Sequence, residues 1–148
     1  GFNINRYATA PDRRNALVSM MVAPWANGTD VSCPYSWNNG TFTQLFNMKE
    51  KKTTDVFGAY VELHKWLAGA VVSVPKPVKP KAMIAELRRN GRRAVLVWRP
   101  AVGGKGKYGA SAMPGATVRT LDGKMSPLPA DGLVDLSAGP ILIMEGGF

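Results

Sequence analysis

Asp30-Val-Ser-Cys-Pro-Tyr-Ser-Trp-Asn-Asn39 is a short apolar and aromatic run lying between two segments of helical patterning. It reads as a strand whose C-terminal end presents Tyr35, Trp37, Asn38 and Asn39. An indole beside amide groups suits a polar ring with an apolar C–H face, such as a sugar. The competing reading makes Trp37 a cap on a core and Asn38-Asn39-Gly40 a plain turn. Cys33 within this strand reads as a small buried thiol.

On the N-terminal side, residues 1–11 hold loop formers and no period. Pro11 and Asp12 suit the first turn of a helix, since Pro lacks an N–H that would go unpaired there and Asp complements the dipole. The helix is expected over about Asp12 to Ala26, with Pro24 disturbing its last turn and Asn27-Gly28 ending it. On the C-terminal side, Gly40 to Lys52 reads as a loop closing on the charged run Lys49-Glu50-Lys51-Lys52. Thr54 is then placed to cap a second helix, with Asp55 in its first turn and Val56, Tyr60, Leu63 and Leu67 as its apolar stripe. His64 and Trp66 fall beside that stripe, and Gly69 marks the end.

From Val71 the pattern becomes β. Val71 to Val74 is a short strand-like run, and Pro75-Lys-Pro-Val-Lys-Pro80 is a stiff extended connector. Met83 to Arg89 and Arg93 to Arg99 flank Asn90-Gly91, the preferred pair of a two-residue type I′ hairpin. Ala116 to Leu121 and Lys124 to Leu128 flank Asp122-Gly123, expected to be a second such turn. Leu133 to Leu136 and Pro140 to Glu145 complete a set of short strands that points to a small antiparallel β-sandwich.

Composition bounds the function. At 148 residues and 45% apolar content the chain suffices for one domain, or two small units sharing a core. No run approaches the roughly 18 apolar residues of a membrane span, and Gly-Phe-Asn-Ile-Asn-Arg has no signal-peptide pattern. Gly1 in place of Met fits a processed or truncated product as well as an expression remnant. A single cysteine excludes an internal disulfide and a Cys-based zinc site, and the single histidine lacks a partner to share a metal. No cofactor or metal is expected, and the compartment stays open. Asn27-Gly28-Thr29 and Asn39-Gly40-Thr41 are glycosylation sequons only in a secreted eukaryotic protein.

The net charge of +9 is uneven. Residues 1–70 carry seven Lys/Arg against five Asp/Glu, and residues 71–148 carry twelve against five. Arg88, Arg89, Arg92 and Arg93 gather around the Asn90-Gly91 turn, a weak candidate for binding a polyanion such as an acidic polysaccharide. Nucleic acid is disfavoured because no nucleic-acid-binding motif accompanies the charge. Gly103-Gly-Lys-Gly-Lys-Tyr-Gly109 lacks the order of a phosphate loop and reads as a basic hairpin.

In sequence, a helix, a strand ending Tyr-Ser-Trp, a capped helix ending Trp-Leu-Ala-Gly and a β region closing on Gly-Pro-Ile-Leu-Ile-Met-Glu resemble the C-terminal end of a clan-A type glycoside hydrolase. The stretches that carry the resemblance are Asp30 to Asn39, Phe57 to Ala70 and Ala116 to Glu145. It implies an α+β chain: residues 1–70 are the last helix–strand–helix segment of a (β/α)8 barrel, incomplete alone, and residues 71–148 are the appended β-sandwich. It also implies that Trp37 lines a sugar subsite, with Tyr35, Asn38 and Asn39 as neighbours. Such enzymes need two carboxyl groups roughly 5–10 Å apart, and in the family these lie on earlier strands, so no catalytic residue is expected in this chain. Helices and strand of 1–70 would leave apolar faces open, and a partner is expected to cover them, either an N-terminal barrel part or another subunit. The alternative is a non-catalytic structural or carbohydrate-binding subunit of a larger assembly, such as a virion or cell-surface component, with glycosidase-like ancestry.

Overall fold

The computed structural model describes residues 9–29, 45–79, 81–100, 106–110, 113, 115–146 and 148. Helix α1 spans Ala10–Ala26, capped by Thr9, whose hydroxyl oxygen accepts the N–H of Asp12. Pro11 sits in its first turn, as expected for a residue without a donor. Strands β1 (Phe46–Asn47) and β2 (Lys52–Thr53) form a two-stranded ribbon around the charged turn, where the sequence suggested only a loop. Helix α2 spans Asp55–Leu67. Thr54 is its N-cap residue but makes no side-chain cap; its hydroxyl donates instead to the Leu45 carbonyl, tying the helix start to the ribbon. The stripe is corrected in one respect: Trp66 belongs to it and is buried, whereas Tyr60 is only half-buried.

The remaining strands are β3 (Val71–Val72), β4 (Lys76–Val78), β5 (Ala82–Arg89), β6 (Arg92–Trp98), β7 (Lys107–Gly109), β8 (Thr117–Thr120), β9 (Met125–Pro127), β10 (Leu133–Asp135) and β11 (Ile141–Met144). Seven of them make one antiparallel sheet in the order β3-β5-β6-β11-β8-β9, with β4 also on β5. The other two, β7 and β10, pair as a separate ribbon. The chain is α+β, and the arrangement is layered: helices, sheet, ribbon.

Alternation along the strands assigns the layers. Leu87, Ala94, Leu96, Trp98, Leu142 and Met144 join the buried residues of α1 and α2 in one apolar cluster. Ala82, Val95, Val97, Val118, Ile141 and Ile143 join Val134 and Leu136 of the ribbon side in another. Side chains in a strand point alternately to the two faces, so β6 and β11, whose apolar residues run without interruption, are central strands covered on both sides. The apolar faces of α1 and α2, for which the sequence argument sought a partner, pack on the chain's own sheet among the described residues. Facing the sheet on its other side is the two-stranded β7–β10 ribbon, whose strands are joined through β8 and β9, so the expected pair of facing sheets is reduced to a sheet and a ribbon.

Turn chemistry explains the register. Asn90 and Gly91 both have positive φ, 52° and 74°, the requirement of a type I′ turn, and the register runs Arg89↔Arg92 as the two-residue loop demands. The β8–β9 connection differs from expectation. Thr120 N–H bonds the Lys124 carbonyl and Gly123 N–H bonds Thr120, giving a three-residue loop with Gly123 at φ 81°. Gly91 has open space where a Cβ would stand, so an alanine there meets only backbone strain. Gly91→Ala is expected to lower stability by about 1–2 kcal/mol in urea unfolding. An unchanged midpoint would show that the turn is not held in this conformation.

Candidate functional site

Tyr35, Trp37, Asn38 and Asn39, together with Cys33, lie outside the described residues. What the fold does define is how α1 and α2 lie beside each other. Arg13 in the second turn of α1 bonds Asp55, the first residue of α2, at 2.9 Å. Trp25 in the last turn of α1 meets the ring of His64, in the later part of α2, edge to face at 5.7 Å. The two helices therefore lie side by side and run in the same direction. His64 is exposed, stacked on Tyr60, and belongs to no cluster of metal-binding side chains among the described residues.

The four arginines at the Asn90-Gly91 turn do not act as one patch. Arg89 reaches across the sheet edge to α2, donating from Nη1 to the carbonyls of Lys65 and Ala68 at 3.0 Å each. Those are carbonyls at the C-terminus of α2, where a cation is favoured, and the same guanidinium lies 4.4 Å over the ring of Phe148. On the other face, Arg93 bonds Glu86 at 2.9 Å, and Arg88 approaches the same carboxylate at 3.7 Å. Arg92 is also engaged. Arg88 is the member left largely to solvent, its side chain 72% exposed.

Carboxylates are consumed in the same way. Glu62 is buried on α2, accepting from Trp66 Nε1 at 2.8 Å, with Lys65 at 3.6 Å. Arg119 Nε approaches it to 2.5 Å but off the line of a hydrogen bond, so that contact is chiefly Coulombic. This contact ties α2 to β8. Asp135 accepts the backbone N–H and hydroxyl of Ser137, which hold its carboxyl below the usual range. Asp122 is lowered to about 2, chiefly by the Thr120 hydroxyl, which outweighs the opposing effect of burial, with Lys124 lowering it further. Both move away from what a general acid needs at neutral pH. Of the two concave regions on the ribbon side, one is lined by a single carboxylate, Asp131, and the other by none.

Two concave regions lie on the ribbon side. One, of about 120 Å³, is lined by Arg93, Val95, Tyr108, Met113 and Ile143. Burial raises the Tyr108 pKa, with Arg93 pulling the other way. An adjoining dish of about 470 Å³ is bounded by Ala110, Met113, Leu128, Pro129, Asp131 and Gly132. Their linings mix polar and apolar surface in about equal parts and carry no convergent acid–base pair. No described helix is long and apolar enough to cross a membrane.

Compared with protein families, with curated proteins and with solved structures, the chain matches none.

The Asp122 turn gives a test of the electrostatics. Its folded pKa lies below the ordinary 3.8, so its stabilising contribution is complete above about pH 4 and disappears as pH falls through about 2. Asp122→Asn should therefore be less stable than the parent at neutral pH and equal to it near pH 2, read from unfolding midpoints across that range. A constant difference down to pH 2 would contradict the assignment.

Proposed function

We propose that the chain is the C-terminal part of a glycoside hydrolase-like protein, contributing a sugar-subsite aromatic and a β-sandwich-type domain but not the catalytic carboxylates. In this reading residues 1–70 are the last helix–strand–helix segment of a (β/α)8 barrel. Trp37 forms a wall of the subsite, with Tyr35, Asn38 and Asn39 beside it.

One observation carries the reading: α1 and α2 are neighbours running the same way. Parallel neighbouring helices oblige the intervening chain to travel back along them. From Arg13 to Trp25 the helix rises about 18 Å, a distance that roughly six extended residues cover, and Asp30 to Asn39 supply ten. A strand returning between parallel helices is the repeat unit of a β/α barrel. Consistent with a non-catalytic role, the described carboxylates of the two helices are committed to capping or to ion pairs. Asp12 accepts from Thr9, Asp55 pairs with Arg13, and Glu62 holds Trp66 and Arg119.

A second reading, a non-catalytic structural or carbohydrate-binding subunit, is favoured by a different observation. The helices bury their apolar faces on the chain's own sheet and so do not need a barrel to be folded. The first reading and the carbohydrate-binding form of the second place sugar binding at Trp37, a purely structural subunit does not, and none of them gives the chain hydrolysis.

Binding of neutral oligosaccharides by the full 148-residue chain, followed by calorimetry, separates these outcomes. Measurable affinity without turnover is expected, with Trp37→Ala weakening it by about tenfold, the loss of one aromatic stacking contact. Unchanged affinity in Trp37→Ala would remove the subsite, and turnover by the chain alone would refute the assignment of catalysis elsewhere.

A further inference from the structure

Where the β7–β10 ribbon crosses the sheet, its cover is incomplete. Val95 and Ile143 are paired across β6 and β11, and both turn toward the ribbon. Against them stand Gly109 and Ala110, whose absent or small side chains leave a cavity of about 120 Å³, bounded also by Met113, Tyr108 and Arg93. Since an apolar cavity of about 150 Å³ takes up a benzene ring, this one has room for a body of roughly five non-hydrogen atoms. It adjoins the larger dish at Ala110 and Met113, which line both.

The lining is of two kinds. Val95, Ile143, Met113 and Ala110 are buried and apolar. Arg93 and Tyr108 supply the polar groups. Arg93 stands two residues before Val95 on the same face of β6. Glu86 fixes its Nη2 at 2.9 Å while the side chain keeps 40% exposure, so the guanidinium is oriented and still open to a ligand. Nε is enclosed by protein and offers a ligand nothing. The Tyr108 phenol lies close enough to feel the charges of both Arg93 and Glu86, yet its hydroxyl has no hydrogen-bond partner among the described residues. Burial raises its pKa, so the hydroxyl keeps its proton at neutral pH and can donate it in a hydrogen bond. Arg88 approaches Glu86 as well, at 3.7 Å. Two guanidinium groups thus share one carboxylate, and the positive charge in excess makes this side of the cavity favour an anion over a cation.

We propose that this cavity binds a short-chain carboxylic acid, with its hydrocarbon body against Val95, Ile143 and Met113 and its carboxylate accepting from the Tyr108 hydroxyl beside the Arg93 guanidinium. Burial of the body supplies the attraction, and the two polar groups orient the head. An ionised carboxylate only accepts hydrogen bonds, which matches an unpartnered donor next to a cation. The Trp37 subsite takes no part in this and the proposal does not rest on it.

Sodium isovalerate titrated into the full chain at constant ionic strength, and followed by the methyl signals of Val95, Met113 and Ile143 in NMR, tests it. Saturable shifts of these methyls are expected at roughly millimolar ligand. Acetate, the head without the body, and isoamyl alcohol, the body without the charge, should each bind at least about tenfold more weakly. Tyr108→Phe keeps the ring that packs the ribbon and should weaken isovalerate about tenfold, the loss of one hydrogen bond to a charged group. Arg93→Gln should bring isovalerate down to the level of the alcohol, with unfolding midpoints showing that both variants are folded. Absence of saturable shifts, acetate binding as well as isovalerate, or an Arg93→Gln chain that still prefers isovalerate to the alcohol would each overturn the proposal. So would Tyr108→Phe binding isovalerate as the parent does, a comparison that stands even if Arg93→Gln does not fold.

Discussion

Ile141–Met144 is the strand on which the other layers depend. It is bonded on both edges, to β6 and to β8, with four residue pairs on each side. All four of its side chains are buried. Leu142 and Met144 face the helices, while Ile141 and Ile143 face the ribbon. Each such side chain is worth about 1.5–3 kcal/mol of burial, and each layer draws on two of them. Because this strand lies near the C-terminal end, the β5–β6 hairpin and the β8–β9 hairpin meet only through it. The local hairpins are cheap to form, and the sheet that joins them requires contacts distant in sequence.

Polar contacts then fix how the helices sit. Trp98 Nε1 donates to Ser19, and Arg99 N–H to Asn15, so the end of β6 is keyed to α1. Glu62 joins α2 to β8, and Arg89 joins its C-terminus to the end of β5. Burial supplies the attraction in this arrangement, while hydrogen bonds and ion pairs select one orientation from those that burial alone would allow. The same contacts use up groups that could otherwise have done chemistry. That is why the functional reading rests on an aromatic rather than on an acid–base pair.

Much of the fold was legible because it is locally encoded. Asn90-Gly91 specifies a hairpin largely by itself, and the apolar run within Pro140 to Glu145 reads as a strand, whose burial on both faces only the sheet reveals. The first helix announces itself by Pro11 and Asp12 at its start and Asn27-Gly28 at its end, the second by Asp55 and an apolar stripe. What failed depended on tertiary context. Thr54 has the chemistry of a cap, yet Leu45 offers its hydroxyl a better acceptor. Trp66 looked peripheral until Glu62, four residues earlier, took its N–H. Asp122-Gly123 resembles Asn90-Gly91, but Thr120 bonds across to Lys124 and admits one more residue to the loop. Among candidate sites, the arginine cluster was visible as charge, while its division between two faces of the sheet was not.

The claim on which the account turns is that α1 and α2 are sheltered by the sheet built on Ile141–Met144. Native-state hydrogen exchange of the purified chain addresses it directly. If the account holds, amides at Val18, Met21 and Val22 of α1 and at Leu63, Trp66 and Leu67 of α2 will be protected to the same free energy as those of Ile141–Met144. Rapid exchange throughout both helices beside a slowly exchanging sheet would contradict it, and would mean that their apolar faces await a partner after all.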